Sequence, residues 1–70
     1  MKITYKWKEL SEDGLLKEPQ KRHSYDNYSI NGFDGFDSVE DAEIALQRWN
    51  LDKENRFSKL SGLVLVKIYL

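Results

Sequence analysis

The sequence predicts an α+β fold, in which a small, mainly antiparallel three-stranded sheet carries one α-helix packed on one of its faces. Three observations predict this class. The N-terminal segment alternates apolar and polar residues, a central segment has helical periodicity after a capping residue, and the C-terminal segment is rich in valine, leucine and isoleucine. The predicted element order is β-β-α-β, with the strand order of the sheet left open.

The length of the chain, 70 residues, predicts a single compact domain over residues 1–70. A chain of this size buries only about 60% of the surface that its unfolded form exposes, so its stability is marginal. It has no cysteine and therefore no disulfide or thiolate metal site. Aromatic residues, which are 13% of the chain, compensate because each ring buries a large area.

Residues 2–9 predict the first strand. Ile3, Tyr5 and Trp7 alternate with polar residues, most of which are lysines. A period of two with β-branched and aromatic residues is typical of a half-buried strand. The apolar residues are expected to face the core, and the lysines are expected to face water.

A long connection is predicted between the first strand and the second. Pro19 excludes a central strand there, so residues 10–24 are expected to form a long, partly mobile loop, in which Leu15 and Leu16 form either a short strand or an anchor of the loop. The second strand is predicted at residues 25–31, with Tyr28 and Ile30 toward the core. Two Gly-Phe-Asp triplets follow it, and their phenylalanines are expected to fill the junction between sheet and helix.

The helix is predicted from Ser38 onward. The Ser38 hydroxyl is placed to cap the first turn, and Asn50 is a candidate for its end. Ile44 lies about 160° from the apolar stripe on a helical projection and is expected to face outward. The stripe that is expected to face the core consists of Val39, Ala42, Ala45, Leu46 and Trp49.

The third strand is predicted at residues 62–70. Its even-numbered residues from Val64 to Leu70 are apolar on one face, and Leu63, Leu65 and Tyr69 are apolar on the other. Apolar residues on both faces are typical of a strand that is buried on both sides. The pattern therefore predicts that this strand is central in the sheet.

Catalytic chemistry has few candidates in this sequence. The single histidine, His23, follows two basic residues and has no carboxylate near it in sequence. No nucleophile or phosphate-binding motif is present, and the spacing of the acids does not match a calcium loop. We therefore expect a protein that is not an enzyme, with no catalytic residues, no metal site and no cofactor.

Charge is unevenly distributed along the chain, although the formal net charge is only −1. Residues 24–47 contain six acids and no lysine or arginine. Together with the interleaved aromatic residues Tyr25, Tyr28, Phe33 and Phe36, these acids predict an acidic and aromatic surface for a protein partner. We define the acidic patch as the outward-facing residues Asp34, Asp37, Glu40, Asp41 and Ile44.

Two other partners remain open. A basic stripe could contact the phosphates of a nucleic acid, since lysines recur along the first strand and in the following loop. Pairing of strand edges, or of Ile44, would instead give a structural homodimer, so monomer and homodimer are both open. The basic stripe consists of Lys2, Lys6, Lys8, Lys17, Lys21 and Arg22.

The cellular setting is expected to be the cytoplasm. The N-terminus lacks the apolar run of a signal peptide, and no apolar segment is long enough to cross a membrane, so no membrane partner is expected. In general type, the chain resembles many small phage-encoded proteins, which are short, cysteine-free, highly charged and rich in aromatic residues. That resemblance implies an inhibitor or modulator of host or defence machinery, similar to anti-CRISPR proteins, and it assigns no residues.

Overall fold

The computed structural model describes residues 2–22, 27–56 and 58–70. The elements are β1 (Ile3–Leu10), β2 (Leu16–Lys17), β3 (Gln20–Arg22), β4 (Asn27–Ser29), α1 (Val39–Leu51), a 3-10 helix (Lys53–Asn55) and β5 (Leu63–Tyr69). β2, β1 and β5 form an antiparallel three-stranded sheet, and β3 and β4 form a separate two-stranded one. The predicted α+β class and the β-β-α-β order are confirmed.

Strand β1 is the centre of the larger sheet, because it has hydrogen-bonded neighbours on both sides. β5 pairs with it on one side over seven residues, and β2 pairs with its last two residues on the other side. Along the rest of that second side, the N–H of Tyr5 donates to the carbonyl of Phe36 at 2.9 Å. The N–H of Trp7 donates to the carbonyl of Phe33 at 3.3 Å. Both edges of β1 are therefore covered.

The predicted central position of the C-terminal strand is wrong. Among the described strands, β5 pairs only with β1, which makes it an edge strand. The two apolar faces of β5 lie in different environments. Leu63 and Leu65 pack against the core, whereas Val64 is 41% exposed on the opposite face of the sheet. An apolar residue on an uncovered face produces the same sequence pattern as a strand buried on both sides.

The helix packs on the face of the sheet that carries Tyr5 and Trp7. The indole N–H of Trp7 donates to the carbonyl of Ala42 at 2.8 Å, and Ala42 is completely buried. The small alanine side chain lets the helix backbone approach the strand closely enough for this bond. The buried apolar residues of the core are Trp7, Ile30, Phe33, Ala42 and Leu60.

The predicted inner stripe of the helix is correct in four of its five positions. Ala42 is buried, and Ala45, Leu46 and Trp49 are partly buried against the core. Val39, however, is 44% exposed, so its predicted place in the core is wrong. The helix meets β1 at Ala42, and the first turn lies before this contact.

The start of the helix matches the prediction, and its end does not. The Ser38 hydroxyl accepts a hydrogen bond from the N–H of Asp41 at 3.1 Å, which confirms the predicted cap. The helix continues past Asn50 to Leu51. The amide of Asn50 instead donates to the carbonyl of Leu60 at 2.9 Å and accepts from its N–H at 2.8 Å. Asn50 therefore joins the helix to the segment before β5.

The two Gly-Phe-Asp triplets form the predicted junction between sheet and helix. Gly32 and Gly35 both have a φ of 76°, which favours glycine. The rings of Phe33 and Phe36 meet edge to face at 5.6 Å, and the Phe33 ring lies 5.9 Å from that of Trp49. These contacts confirm that the phenylalanines fill the junction.

Two short strands, β2 and β3, occupy part of residues 10–24; the sequence leaves a short strand open at Leu15 and Leu16, next to β2, but predicts none at β3. Strands of two and three residues are too short to have a recognisable period. Pro19 lies between them and is fully buried, and its carbonyl accepts from the N–H of Ile30 at 2.8 Å. Ile30 is buried as predicted, whereas His23, Tyr25 and the side chain of Tyr28, for which the sequence also makes predictions, lie outside what the structure describes.

The two tryptophans provide a matched test of the Trp7–Ala42 hydrogen bond. Trp7→Phe removes the bond as well as part of the ring, and should lower the free energy of unfolding by about 1–3 kcal/mol. Trp49→Phe removes an indole N–H that is buried without a partner, and should cost about 1 kcal/mol less. Urea unfolding followed by circular dichroism measures both. Equal losses would contradict the role of the hydrogen bond.

Candidate functional site

Four residues of the acidic patch lie together near the start of α1. Asp37 precedes the cap, and Glu40 and Asp41 lie in the first turn, where the helix dipole favours negative charge. Ile44 follows Glu40 by four positions and Asp41 by three, so the three are neighbours on the helix surface. All four are exposed, and Ile44 is 39% exposed, which confirms its predicted outward position.

The fifth residue of the acidic patch, Asp34, has a different environment. Its carboxylate lies 3.7 Å from the Nζ of Lys6 on β1, and its side chain is 46% exposed. Asp34 therefore partly neutralises the positive charge of Lys6 on the sheet. The aromatic part of the predicted surface is also reduced, because Phe33 is buried and Phe36 is partly buried against the core.

The two lysines of β1, Lys6 and Lys8, share the carboxylate of Glu18. The Nζ atoms of Lys6 and Lys8 lie 2.7 Å and 3.1 Å from the same oxygen of Glu18. Hydrogen bonds from both lysines lower the pKa of Glu18, and the bond to Glu18 raises the pKa of Lys6. This carboxylate holds two of the cations that the sequence assigns to nucleic acid.

Another carboxylate, Glu9, binds two further members of the basic stripe on the opposite face of β1. Arg22 donates to both of its oxygens, at 2.7 Å and 3.1 Å, and the Nζ of Lys17 lies 3.6 Å away. Glu9 is only 8% exposed. The hydrogen bonds from Arg22 lower the pKa of Glu9, although burial acts in the other direction. This cluster is a structural contact at the edge of the core.

Lys21 is held at a third location. Its Nζ lies 2.6 Å from the side-chain oxygen of Asn55 and 5.6 Å from the centre of the Trp49 ring. A groove of about 520 Å³ beside it is lined by residues of both charges. The structure therefore distributes the basic stripe over both faces of the sheet and the end of α1. It does not bring the six residues onto one surface. Lys17 and Arg22 contact Glu9, an odd-numbered residue of β1, whereas the even-numbered Lys6 and Lys8 point to the opposite face.

The sheet face opposite the helix is only partly covered, and the sequence predicts its β1 lysines but not the contribution of β5. We call this surface the open face; β1 contributes lysines to it, and β5 contributes apolar residues. Thr4, Lys6 and Lys8 of β1 pair with the β5 residues Ile68, Val66 and Val64. A groove of about 340 Å³ at one end is lined by Lys2, Thr4, Lys6, Asp34, Gly35, Ile68 and Leu70. The alternation of β5 is the signal that could have identified this face.

Neither a cluster of metal-binding side chains nor a membrane-spanning helix is seen in the described residues. No three side chains of His, Asp or Glu within the described ranges converge on a point where they would hold a metal ion. None of the helices in this part of the chain has the length and apolar character needed to cross a membrane.

Comparisons with protein-family models, with curated proteins and with solved structures find no match for this chain.

The Glu9–Arg22 pair predicts a specific dependence of stability on pH. Glu9 has its pKa lowered from 4.5 in the folded state, so its stabilisation is complete above pH 4.5 and is lost as the pH falls through the lowered value. Glu9→Gln should lower the free energy of unfolding by about 1–2 kcal/mol at pH 7. Below pH 4.5, the stability of this variant should decline less steeply than that of the original protein. Urea unfolding at pH 7, 4.5 and 3 measures this effect.

The matched control for this experiment is Asp13→Asn. Asp13 is exposed in a turn and has no ion pair among the described residues. This variant should keep both the stability at pH 7 and the acid slope of the original protein. A Glu9→Gln variant with the same acid slope as the original would contradict the assignment.

Proposed function

We propose that this protein is a non-enzymatic module that binds another protein through the acidic patch at the start of α1. The observation that supports this choice is that the acidic patch and the lysines of β1 differ in how far their charges are paired. Asp37, Glu40 and Asp41 have no lysine or arginine within ion-pair distance in the described part of the chain. On the sheet, by contrast, Lys6 and Lys8 are paired with Glu18. The acids at the start of α1 are therefore less compensated by neighbouring charges than the two lysines of β1.

The charges of the acidic patch have a structural role as well as the proposed one. Acids in the first turn of a helix contribute about 0.3–1 kcal/mol each through the dipole. That effect accounts for Glu40 and Asp41 but not for Ile44, which is exposed beside them. An apolar residue with charged neighbours is typical of an interface, where an apolar contact has a polar rim. The proposed partner therefore carries a basic surface with an apolar depression.

The basic stripe is a weaker basis for function. A nucleic-acid interface needs several cations free to neutralise phosphates on one surface. Here Lys6 and Lys8 share Glu18, and Arg22 and Lys17 surround Glu9. Binding of DNA or RNA would require these pairs to be broken first. A gel shift at low salt, with single- and double-stranded nucleic acid, tests this alternative directly.

The narrower form of the proposal concerns the host. The resemblance in type to small phage-encoded proteins supports an inhibitor that acts in the cytoplasm on host or defence machinery. Expression of the chain in bacteria with a defined defence system should then restore phage plating by at least tenfold in one of them. No restoration across the common systems would exclude this form and leave the more general one standing.

The acidic patch can be tested by affinity capture followed by mass spectrometry. The variant D37N/E40Q/D41N removes three charges and should lose at least tenfold of the affinity for the captured partner, since long-range attraction and rim contacts are both lost. Ile44→Ala should weaken binding without changing the charge. Binding of the original protein should also weaken as salt rises.

The matched control is E12Q/D13N/E54Q, which removes the same number of charges from exposed residues outside the acidic patch. This control should keep the original affinity. If both triple variants recover the partner equally well, the acidic patch is not the binding surface. Circular dichroism of each variant establishes that the helix is intact.

A further inference from the structure

The outer edge of β5 has backbone groups without hydrogen-bond partners among the described residues. Side chains and backbone groups alternate in a strand, so every second residue presents its N–H and C=O to the same edge. The backbone groups of Tyr5 and Trp7 in β1 form hydrogen bonds on the side away from β5, so those of the even-numbered residues of β1 point toward β5. Through the register Lys6↔Val66, the even-numbered residues of β5 are therefore bonded to β1. The edge residues left over are Leu63, Leu65, Lys67 and Tyr69.

No described residue covers this edge. None of the hydrogen bonds between the described residues reaches the N–H or C=O groups that point outward from β5. Edge strands usually avoid pairing by means of prolines, bulges or several charged residues. β5 has a single charge, on Lys67, and its Nζ lies 5.7 Å from the centre of the Tyr69 ring on the same strand. The strand is therefore open to pairing.

We propose that β5 pairs with β5 of a second copy of this chain in an antiparallel arrangement centred on Val66. In this register, Leu65 lies opposite Lys67 of the second copy, and Leu63 lies opposite its Tyr69. All four edge residues are then paired, which forms about eight backbone hydrogen bonds. The two three-stranded sheets become one six-stranded sheet.

The charge on β5 selects this register over its neighbours. Centring the pair on Lys67 would place two lysines directly opposite each other, which is destabilising. Centring it on Leu65 would leave Tyr69 without a strand residue opposite it. Only the register centred on Val66 pairs the whole of Leu63–Tyr69 and places each lysine opposite a leucine.

The same register also joins the apolar residues of the two open faces. Val66 lies opposite Val66 of the second copy, and Val64 lies opposite its Ile68. These positions are the pairs without mutual hydrogen bonds, in which the side chains approach most closely. Val64 is 41% exposed in the single chain, so the pairing covers apolar surface that is otherwise in water. A second copy therefore matches this edge in backbone, charge and apolar character.

Disulfide cross-linking tests the register, and the chain has no cysteine to interfere. Val66→Cys should form a covalent dimer on mild oxidation, because the two Cβ atoms would be about 4.5–5.5 Å apart. Val64→Cys and Ile68→Cys should not cross-link alone, since identical residues would be about 13 Å apart. An equimolar mixture of these two variants should cross-link as a heterodimer.

Light scattering with sedimentation tests the association itself. The original chain should change from a mass of 8.3 kDa to about twice that value as its concentration rises. Lys67→Pro removes an outward N–H and should remain monomeric, as prolines are tolerated on free edges. Lys67→Ala keeps the N–H and should still dimerise. The triple variant of the acidic patch should dimerise normally, which separates this inference from the proposed function.

The proposal is overturned by a monomer at every concentration. It is also overturned if Val64→Cys cross-links alone as readily as Val66→Cys, or if folded Lys67→Pro dimerises like Lys67→Ala. Should Lys67→Pro fail to fold by circular dichroism, the comparison of the cysteine variants decides the question by itself. If the edge of β5 instead accepts a strand from an unrelated protein, the chain on its own would stay monomeric, and the proposal would be wrong.

Discussion

The alternation of residues along β1 is the constraint on which the rest of the structure depends. β1 is bonded to neighbours along both edges, so it is fixed at the centre of the sheet. Its two faces lie in different environments. Trp7 on one face donates to the backbone of α1 at Ala42, which fixes where the helix meets the sheet. Lys6 and Lys8 on the other face bind Glu18. A shift of one residue in the pairing would exchange these faces and bury the lysines.

The ionic contacts of this protein are better understood as structural than as functional. An exposed ion pair contributes only about 0–1 kcal/mol, but Glu9 is almost fully buried and cannot be left without its Arg22. Glu18, shared by two lysines, also reduces the positive potential of the sheet. At the start of α1, by contrast, Asp37, Glu40 and Asp41 have no ion pair among the described residues.

The two surfaces proposed for binding differ in position and in chemistry. Three acids of the acidic patch lie at the start of α1 beside the exposed Ile44, whereas Asp34 lies beside Lys6 on the open face. The edge of β5 offers backbone groups without hydrogen-bond partners among the described residues, beside the apolar residues of the open face. The two surfaces share no residue, although Asp34 of the acidic patch and Ile68 of β5 line the same groove. A dimer would then present two acidic patches, which increases the avidity for a partner with repeated sites.

The sequence alone was sufficient for the elements whose causes are local. The alternation of β1, the cap at Ser38, the outward position of Ile44 and the aromatic junction at Phe33 all follow from periods and turn chemistry, and the structure agrees. The acidic patch was also identifiable, since four of its members lie within eight positions on and before one helix. Its role in binding stays a prediction.

Only the tertiary structure decided which surfaces are free. The two-sided apolarity of β5 fits a central strand and an edge strand equally well, and only its pairing with β1 alone distinguishes them. In the same way, the sequence shows the lysines but not the distant Glu18 and Glu9 that neutralise them. Local patterns specify what a segment can form, whereas strand order and ion pairs depend on contacts between segments far apart in the chain.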